Sequence, residues 1–181
     1  MTIKTAQDVL DFWFSPEMEP NWFAKSDAID ARIRDEFADT WHAAHRRELD
    51  DWAATPDGAL ALILVLDQFP RNIFRGTGRA FESDGIALDH ARAAVDAGFD
   101  RQIDPERRVF VYLPFEHSED RTDQTRSVEL FEALGDPGYL DYAVRHRDII
   151  QEFGRFPHRN ALLGRPDTLA ETEFLKTHKG F

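Results

Sequence analysis

The amino-acid sequence predicts an all-α protein with one domain over residues 1–181, in which about eight helices form a tetratricopeptide-like array of antiparallel helix pairs. Three observations support this fold class. A proline follows a helix-capping residue at three places, and no stretch alternates between apolar and polar residues for long enough to form a strand. The chain also has 181 residues, 42% of them hydrophobic, which is enough for a buried core.

The helix starts are the clearest local signals. Proline at the first helical position already has the φ angle that a helix requires, and its missing N–H would have no helical partner there. The pairs of capping residue and proline are Thr55-Pro56, Asp104-Pro105 and Asp136-Pro137. Thr168 and Glu171 form a capping box, and Ser118 precedes acids that suit a first helical turn. Together with the hydrophobic periodicity, these signals predict helices over 5–15, 26–51, 56–69, 79–98, 105–113, 119–134, 137–153 and 168–177.

Two of these helices indicate how the array is built. Helix 56–69 is apolar on all sides through its centre, which is typical of a helix covered by neighbours all round. Residues 80–98 carry small side chains at a spacing that permits close helix contact, as in the hairpins of tetratricopeptide repeats. We therefore expect helix 56–69 at the centre of the fold.

Composition narrows the classes of partner. The formal net charge is −12, with 34 acidic against 22 basic residues, so the surface repels nucleic acid and anionic lipid. Cysteine is absent, which excludes disulfides and thiolate metal sites. The first residues do not have the pattern of a secretory signal, and the longest apolar run, "ALALILVL", is too short to cross a bilayer. We expect a cytoplasmic protein that binds neither nucleic acid nor membrane.

Basic residues are concentrated in two segments with related sequences. The first arginine segment, 69–79, reads "FPRNIFRGTGR", and the second arginine segment, 153–165, reads "FGRFPHRNALLGR"; each has three arginines and no acid. Pro70 is expected to end the preceding helix, so that each segment presents arginine and asparagine from a turn beside a proline. Asp67 would oppose the helix dipole there, and we expect it to pair with Arg71 or with an arginine of the second segment. The segments indicate either an internal ion network or an anion site made of guanidinium and amide groups.

A third polar cluster lies in "LPFEHSED", residues 113–120. Glu116 and His117 stand beside Glu119 and Asp120, and such a group could hold an acid–base pair, ligate a metal or form a solvated helix start. The sequence has no H-E-x-x-H pattern, and we expect no metal site. Two further polar residues, His146 and Gln124, fall on apolar helix faces: His146 is typical of a satisfied core histidine, and Gln124 must find a buried hydrogen bond.

Several blocks resemble the DUF924 family of bacterial, fungal and plant proteins of unknown function. They are "VLDFWF" (9–14), "NWF" (21–23), "ALALILVLDQFPRNIFRGTGRAFESD" (59–84), "LPFEHSED" (113–120), "HRDIIQEFGRFPHRN" (146–160) and "LLGR" (162–165). The resemblance covers almost the whole chain and implies an all-α, tetratricopeptide-like fold without an established activity. It implies a set of site residues: Asp67, Gln68, Arg71, Asn72, Glu116, His117, His146, Arg155, His158, Arg159 and Asn160.

The sequence thus leaves three functional hypotheses. The first is a binding module, in which both arginine segments face one groove with Glu116 and His117 and hold a small anionic or carboxylate-bearing molecule or a peptide. The second is a hydrolase-like enzyme in which His117 or His158 is the general base, with Glu116 as a further catalytic candidate. The third is a structural ion network without a ligand. None of the three hypotheses requires a cofactor.

Overall fold

The computed structural model describes residues 2–178 and 180, and these residues form helices and turns without a strand. The prediction of an all-α protein is confirmed, whereas the tetratricopeptide-like arrangement stays a prediction. The α-helices are α1 (Ala6–Trp13), α2 (Asp27–His45), α3 (Pro56–Ile63), α4 (Phe69–Ile73), α5 (Asp84–Asp96), α6 (Pro105–Glu116), α7 (Arg121–Leu134), α8 (Pro137–Phe153) and α9 (Leu169–Phe174). In the part of the chain that the structure describes, no helix is long and apolar enough to cross a membrane.

The contacts divide the chain into two compact units. The first unit contains the residues up to Arg75 together with 79–114, and the second contains 76–78 and the residues from Phe115 onward. This division does not test the prediction of one domain over residues 1–181.

The first unit has an aromatic core around Phe69. The ring of Phe69 lies 5.6 Å from that of Trp13 and 4.8 Å from that of Phe37, and Trp13 also contacts Phe110 at 5.6 Å, all measured between ring centroids. Every residue from Gly58 to Pro70 is buried, so helix 56–69 is central to this unit, as its composition predicted. Large buried aromatic rings contribute most to such a core because each removes a large apolar area from water.

The expected end of this helix at Pro70 is wrong. The chain continues from α3 through one π-helical stretch, Leu64–Gln68, into α4, where the Phe69 N–H donates to the Leu64 carbonyl. Proline has no N–H to donate to the carbonyl four residues before it, that of Leu66, and the Ser83 hydroxyl donates to this carbonyl instead, at 2.6 Å. The Trp41 indole N–H in turn donates to the Ser83 hydroxyl at 3.0 Å. Because Ser83 satisfies the Leu66 carbonyl, the helix continues past Pro70.

The first arginine segment ties helices of the first unit together. Arg71 donates to both carboxylate oxygens of Asp84, at 2.9 and 3.1 Å, and its Nη1 lies 3.4 Å from Asp67 Oδ1, which confirms the predicted pair of Asp67 and Arg71. Asn72 donates to Asp30 Oδ1 at 2.8 Å, and Arg75 binds the same carboxylate through Nε and Nη2. Burial raises the pKa of Asp30, but the bonds from Arg75 and Asn72 outweigh this effect, and its pKa lies below the ordinary value.

The second unit is built on the helical hairpin of α7 and α8, which pack against each other. Gly135 ends α7 in the left-handed conformation, with φ of 84°, and Asp136 caps α8 by accepting from the N–H groups of Gly138 and Tyr139. The capping box of Thr168 and Glu171 is present at the start of α9, as predicted. Gly78 packs closely here: a Cβ on it would lie 2.7 Å from the Leu162 carbonyl oxygen, so no larger residue fits without a shift.

Other helix limits also differ from the prediction; α5, for example, begins at Asp84 rather than at 79. Helix α2 ends at His45 rather than at 51, because Arg47 adopts a φ of 61° and turns the chain. Helix α6 continues through Pro114 to Glu116, where an end at 113 was expected. Helix α7 is capped by Asp120, which accepts from the N–H groups of Thr122 and Asp123, whereas Ser118 was expected to open it. Single-residue turn and proline signals therefore place helices well but place their ends less well.

Replacing Leu64 with alanine should lower the free energy of unfolding by about 2–5 kcal/mol, because this side chain is fully buried and its removal leaves a cavity. The matched control is Leu169→Ala, which removes the same atoms from a side chain that is 92% exposed and should change stability by less than about 0.5 kcal/mol. Urea unfolding of both variants measures the difference. Equal small losses would show that the Leu64 site is not part of the core.

Candidate functional site

The segment "RFPHRN", residues 155–160, is held by an ion pair that forms hydrogen bonds to the backbone of Phe156. Glu119 Oε1 accepts from the Phe156 N–H at 2.7 Å, and Arg165 Nη2 donates to the Phe156 carbonyl at 3.1 Å. Arg165 also binds both oxygens of Glu119, at 2.7 and 3.0 Å. A bidentate guanidinium–carboxylate pair has a fixed planar geometry, so it fixes the position of the backbone to which both partners are bound.

The flanks of the segment are fixed in the same way. Arg155 binds Glu171 through two bonds of 2.6 and 2.7 Å, and its guanidinium lowers the pKa of Glu171 to about 2. Asn160 donates to Asp167 Oδ1 at 2.7 Å and accepts from Arg165 Nε at 2.9 Å. These contacts account for Arg155 and Asn160 as structural residues.

Three polar side chains surround the buried ring of Phe156. The Arg159 guanidinium carbon lies 4.5 Å from the centroid of this ring, and the imidazole centroids of His146 and His158 each lie 5.6 Å from it. The imidazole of His117 lies 6.4 Å from that of His146. With Glu116, these residues form what we call the histidine–arginine cluster: Glu116, His117, His146, His158 and Arg159.

Glu116 enters the cluster from the last residue of α6. Its backbone carbonyl accepts from Gln124 Nε2 at 2.6 Å, and the same amide donates to the Ser118 carbonyl at 2.7 Å, so α7 holds the end of α6 in place. The predicted need of Gln124 for a buried hydrogen bond is thereby confirmed. Glu116 Oε1 lies 3.3 Å from His146 Nδ1, and the Glu116 residue is only 4% exposed.

The protonation of His146 follows from its contacts. Nδ1 lies 2.8 Å from the Tyr142 carbonyl oxygen, and only an N–H can donate there, so the neutral ring carries its proton on Nδ1. Burial lowers the pKa of His146 to about 3, with His117 and Arg159 adding to the effect by repulsion. The ring is therefore neutral at physiological pH.

His158 is neutral for similar reasons. Burial and the positive charge of Arg159 lower its pKa to about 4, although Glu119 acts in the opposite direction. Gly180 lies beside this ring, since a Cβ on Gly180 would be 3.4 Å from two of its atoms. The cluster thus combines a permanent guanidinium charge with neutral imidazole groups, of which His146 already uses its one donor on the Tyr142 carbonyl and keeps Nε2 as an acceptor.

The structure places the other predicted site residues in the first unit. Asp67, Gln68, Arg71 and Asn72 belong to the π-helical stretch and α4, where Gln68 Nε2 donates to Asp67 Oδ2 at 2.5 Å. The convergence of the two arginine segments on one groove stays a prediction. Among the described residues, no group of three or more histidine or acidic side chains is arranged to hold a metal ion.

Sequence reasoning missed the roles of Glu119 and Arg165. Both lay in noted blocks, "LPFEHSED" and "LLGR", but 46 positions separate them in the chain, and no periodicity joins positions so far apart. The available signal was the acid-free character of the second arginine segment. Arg165 needed a carboxylate from another part of the chain, and Glu119 was one of several candidates.

Comparison with known proteins assigns the chain to a family. The family described as "Bacterial protein of unknown function (DUF924)" matches residues 9–179, and the chain belongs to this family. A solved structure of a protein of unknown function from Agrobacterium tumefaciens is similar, with 44% sequence identity and a TM-score of 0.90 over 96% of this chain and 97% of that chain. The comparison with curated proteins gave no match.

Arg165→Gln and Glu119→Gln should each lower the free energy of unfolding by about 1–3 kcal/mol, because each leaves a charged partner and a Phe156 backbone group short of a bond. The control is Arg126→Gln, which removes an arginine paired with Glu129 on the exposed surface and should cost less than about 1 kcal/mol. Urea unfolding of the single and double variants measures the coupling. Strictly additive losses in the double variant would show that the two side chains do not act as a pair.

Stability should also depend on pH through His146 and His158. In the unfolded chain both rings take up protons as the pH falls through about 6.5, whereas in the folded chain His146 stays neutral down to about 3 and His158 down to about 4. Their contribution is therefore complete above pH ~6.5 and is lost as the pH falls through the folded values, with a slope of up to about 1.4 kcal/mol per pH unit for each ring.

Urea unfolding between pH 4 and 6.5 measures this slope. These limits are the pKa of His158 in the folded chain, about 4, and in the unfolded chain, about 6.5. The slope should decrease by up to about 1.4 kcal/mol per pH unit in His146→Gln and again in His158→Gln, because each variant takes up about one proton fewer on unfolding. An unchanged slope in both variants would show that other groups cause the pH dependence.

Proposed function

We propose that this protein is a binding protein whose histidine–arginine cluster holds a small anionic or carboxylate-bearing ligand. The observation that carries the proposal is the position of Arg159, which is only 7% exposed and lies over the ring of Phe156 beside two neutral imidazoles. A guanidinium in an environment of low polarity attracts an anion more strongly than one in water does.

The segment that carries Arg159 suits a binding role because it is rigid before any ligand arrives. The ion pair of Glu119 and Arg165 holds the Phe156 backbone, and the pair of Arg155 and Glu171 holds the preceding residue. Preorganised groups bind more tightly because less conformational entropy is lost on binding. Together with the neutral histidines, this rigidity favours a site that recognises a fixed shape.

The hydrolase hypothesis has less support from the same geometry. A general base works best when its pKa lies near the operating pH, and burial lowers the pKa of His158, a sequence-predicted base, to about 4. The pKa of His146 is lower still, at about 3. Both rings suit hydrogen bonding to a bound group better than proton transfer at neutral pH.

The ion-network hypothesis accounts for five arginines of the two segments. Arg71, Arg75 and Arg79 of the first segment and Arg155 and Arg165 of the second each contact a carboxylate of their own unit. Arg159 lies over the ring of Phe156. The binding proposal depends on Arg159, so the two roles can be separated by experiment.

Acetate or inorganic phosphate should raise the melting temperature of the parent protein relative to chloride at the same ionic strength, by linkage between binding and folding. Arg159→Gln should abolish this anion-specific shift. Arg155→Gln should lower the melting temperature through loss of the Glu171 pair and keep the shift. Should Arg159→Gln not fold, Arg159→Lys, which keeps the charge but not the planar fork, should show a reduced shift.

Thermal unfolding of the parent and the three variants in each salt makes the comparison. The proposal fails if the parent shows no anion-specific shift. It also fails if the shift survives in the folded Arg159 variant and disappears in Arg155→Gln, since the pattern would then follow the structural arginine.

A further inference from the structure

We propose that the chain after α9 is a movable cover for the histidine–arginine cluster, which lies on His158 and moves away when a ligand enters. The cover consists of residues 175–178 and 180, which we call the covering segment. This inference rests on the proposed binding function, and it adds how access to the site is controlled.

The covering segment lies directly on the imidazole of His158. A Cβ on Gly180 would be 3.4 Å from both Cγ and Cδ2 of this ring, so the glycine backbone packs against it. Gly180 is itself exposed, whereas His158 is half-buried, so the glycine lies on the solvent side of the ring. The segment therefore separates this member of the cluster from the solvent.

The residue in contact with the ring has to be a glycine. Gly180 has a φ of 112°, a backbone conformation that residues with a side chain rarely adopt. The missing side chain also lets the backbone approach the ring closely. A substitution at this position should therefore displace the segment from His158.

The start of the covering segment is fixed to α9. The His178 N–H donates to the Phe174 carbonyl at 3.1 Å, and the two aromatic rings of these residues stack with their centroids 4.4 Å apart. Phe174 in turn contacts Phe153 of α8 at 4.9 Å between ring centroids. The segment thus has a fixed base from which it reaches His158.

The contact made by Gly180 is weaker than this base. Among the described residues, none forms a hydrogen bond with Gly180, so packing holds it on His158. Helix α9 is held more firmly, because Arg155 and Thr168 both bind Glu171. Segments with few buried contacts open locally at a small cost in free energy, so the cover should open without the unfolding of α9.

The cover contributes to the burial of His158. Burial is the main cause of the low pKa of this ring, about 4. Repulsion from Arg159, His117 and Arg165 lowers the pKa further, and Glu119 acts in the opposite direction. Opening the cover admits water to one side of the ring and should raise its pKa toward about 6.5, the value of a free imidazole, without reaching it, because the charged neighbours remain.

A cover also reduces the apparent affinity of the site for a ligand. If the ligand enters only when the segment is open, the apparent dissociation constant is the intrinsic constant divided by the open fraction. Displacing the segment should therefore strengthen binding. A lid that contacts the bound ligand would have the opposite effect, since its loss weakens binding.

Gly180→Val tests the inference, because a β-branched residue does not readily adopt a φ of 112° and its methyl groups would meet the His158 ring. Gly164→Val is the matched control in the same unit. The φ of Gly164 is also positive, at 64°, but an added Cβ there has no neighbour within 4 Å. Should Gly180→Val not fold, deletion of residues 179–181 removes the contact with His158 and leaves the stack of His178 on Phe174.

Two measurements compare the parent with these variants. An NMR titration of the imidazole signals should show that the pKa of His158, about 4 in the parent, rises by at least about one unit in Gly180→Val and is unchanged in Gly164→Val. Calorimetric titrations with acetate and with inorganic phosphate, at neutral pH and constant ionic strength, should show an apparent Kd at least about threefold lower in Gly180→Val than in the parent and in Gly164→Val.

The outcomes separate this inference from the proposed function. An unchanged pKa of His158 in both Gly180→Val and the deletion would overturn the inference and leave the binding proposal intact. Equal or weaker anion binding in these variants would show that the segment does not restrict access, and it would overturn the inference too. If neither anion binds the parent or any variant, the binding proposal fails and this inference fails with it.

Discussion

The ion pair between Glu119 and Arg165 determines the geometry of the histidine–arginine cluster. It holds the N–H and the carbonyl of Phe156 at the same time, and the ring of Phe156 is the surface against which His146, His158 and Arg159 lie. An ion pair on a protein surface contributes little to stability, because water screens it and both side chains lose entropy. This pair is partly covered and bound to backbone groups, so its bonds also fix the position of a turn that has little regular structure of its own.

The two related arginine segments use the same residue types for different contacts. In each unit an asparagine donates to an aspartate, from Asn72 to Asp30 at 2.8 Å and from Asn160 to Asp167 at 2.7 Å. In the first unit the "FP" residues continue a helix, whereas in the second Pro157 begins a 3-10 turn that carries His158 and Arg159. The similarity of "FPRN" and "FPHRN" therefore indicates a common way to anchor a segment. The additional histidine, His158, is present only in the segment that belongs to the histidine–arginine cluster.

Much of the fold could be predicted from the sequence because its signals are local. Capping residues before proline located helix starts, and the unbroken apolar run located the buried helix that contains Leu64. The continuation of helices through Pro70 and Pro114 could not be predicted in this way. A proline interrupts a helix only if nothing else satisfies the carbonyl that it leaves, and at Pro70 the replacement is Ser83, whose position depends on the tertiary fold. The partners of Glu119 and Arg155 were beyond prediction for the same reason, since many acids and arginines could have paired.

Burial changes the protonation state, and therefore the chemical role, of the histidines. A sequence with histidines, an arginine and a glutamate in two blocks indicates acid–base chemistry, because free imidazole titrates near neutral pH. In the folded chain, burial and the charge of Arg159 lower the pKa of His146 to about 3 and that of His158 to about 4, so these two rings act as uncharged polar groups. The chemical role of a histidine therefore depends on its burial and on the charges beside it, and both follow from the tertiary fold rather than from the local sequence.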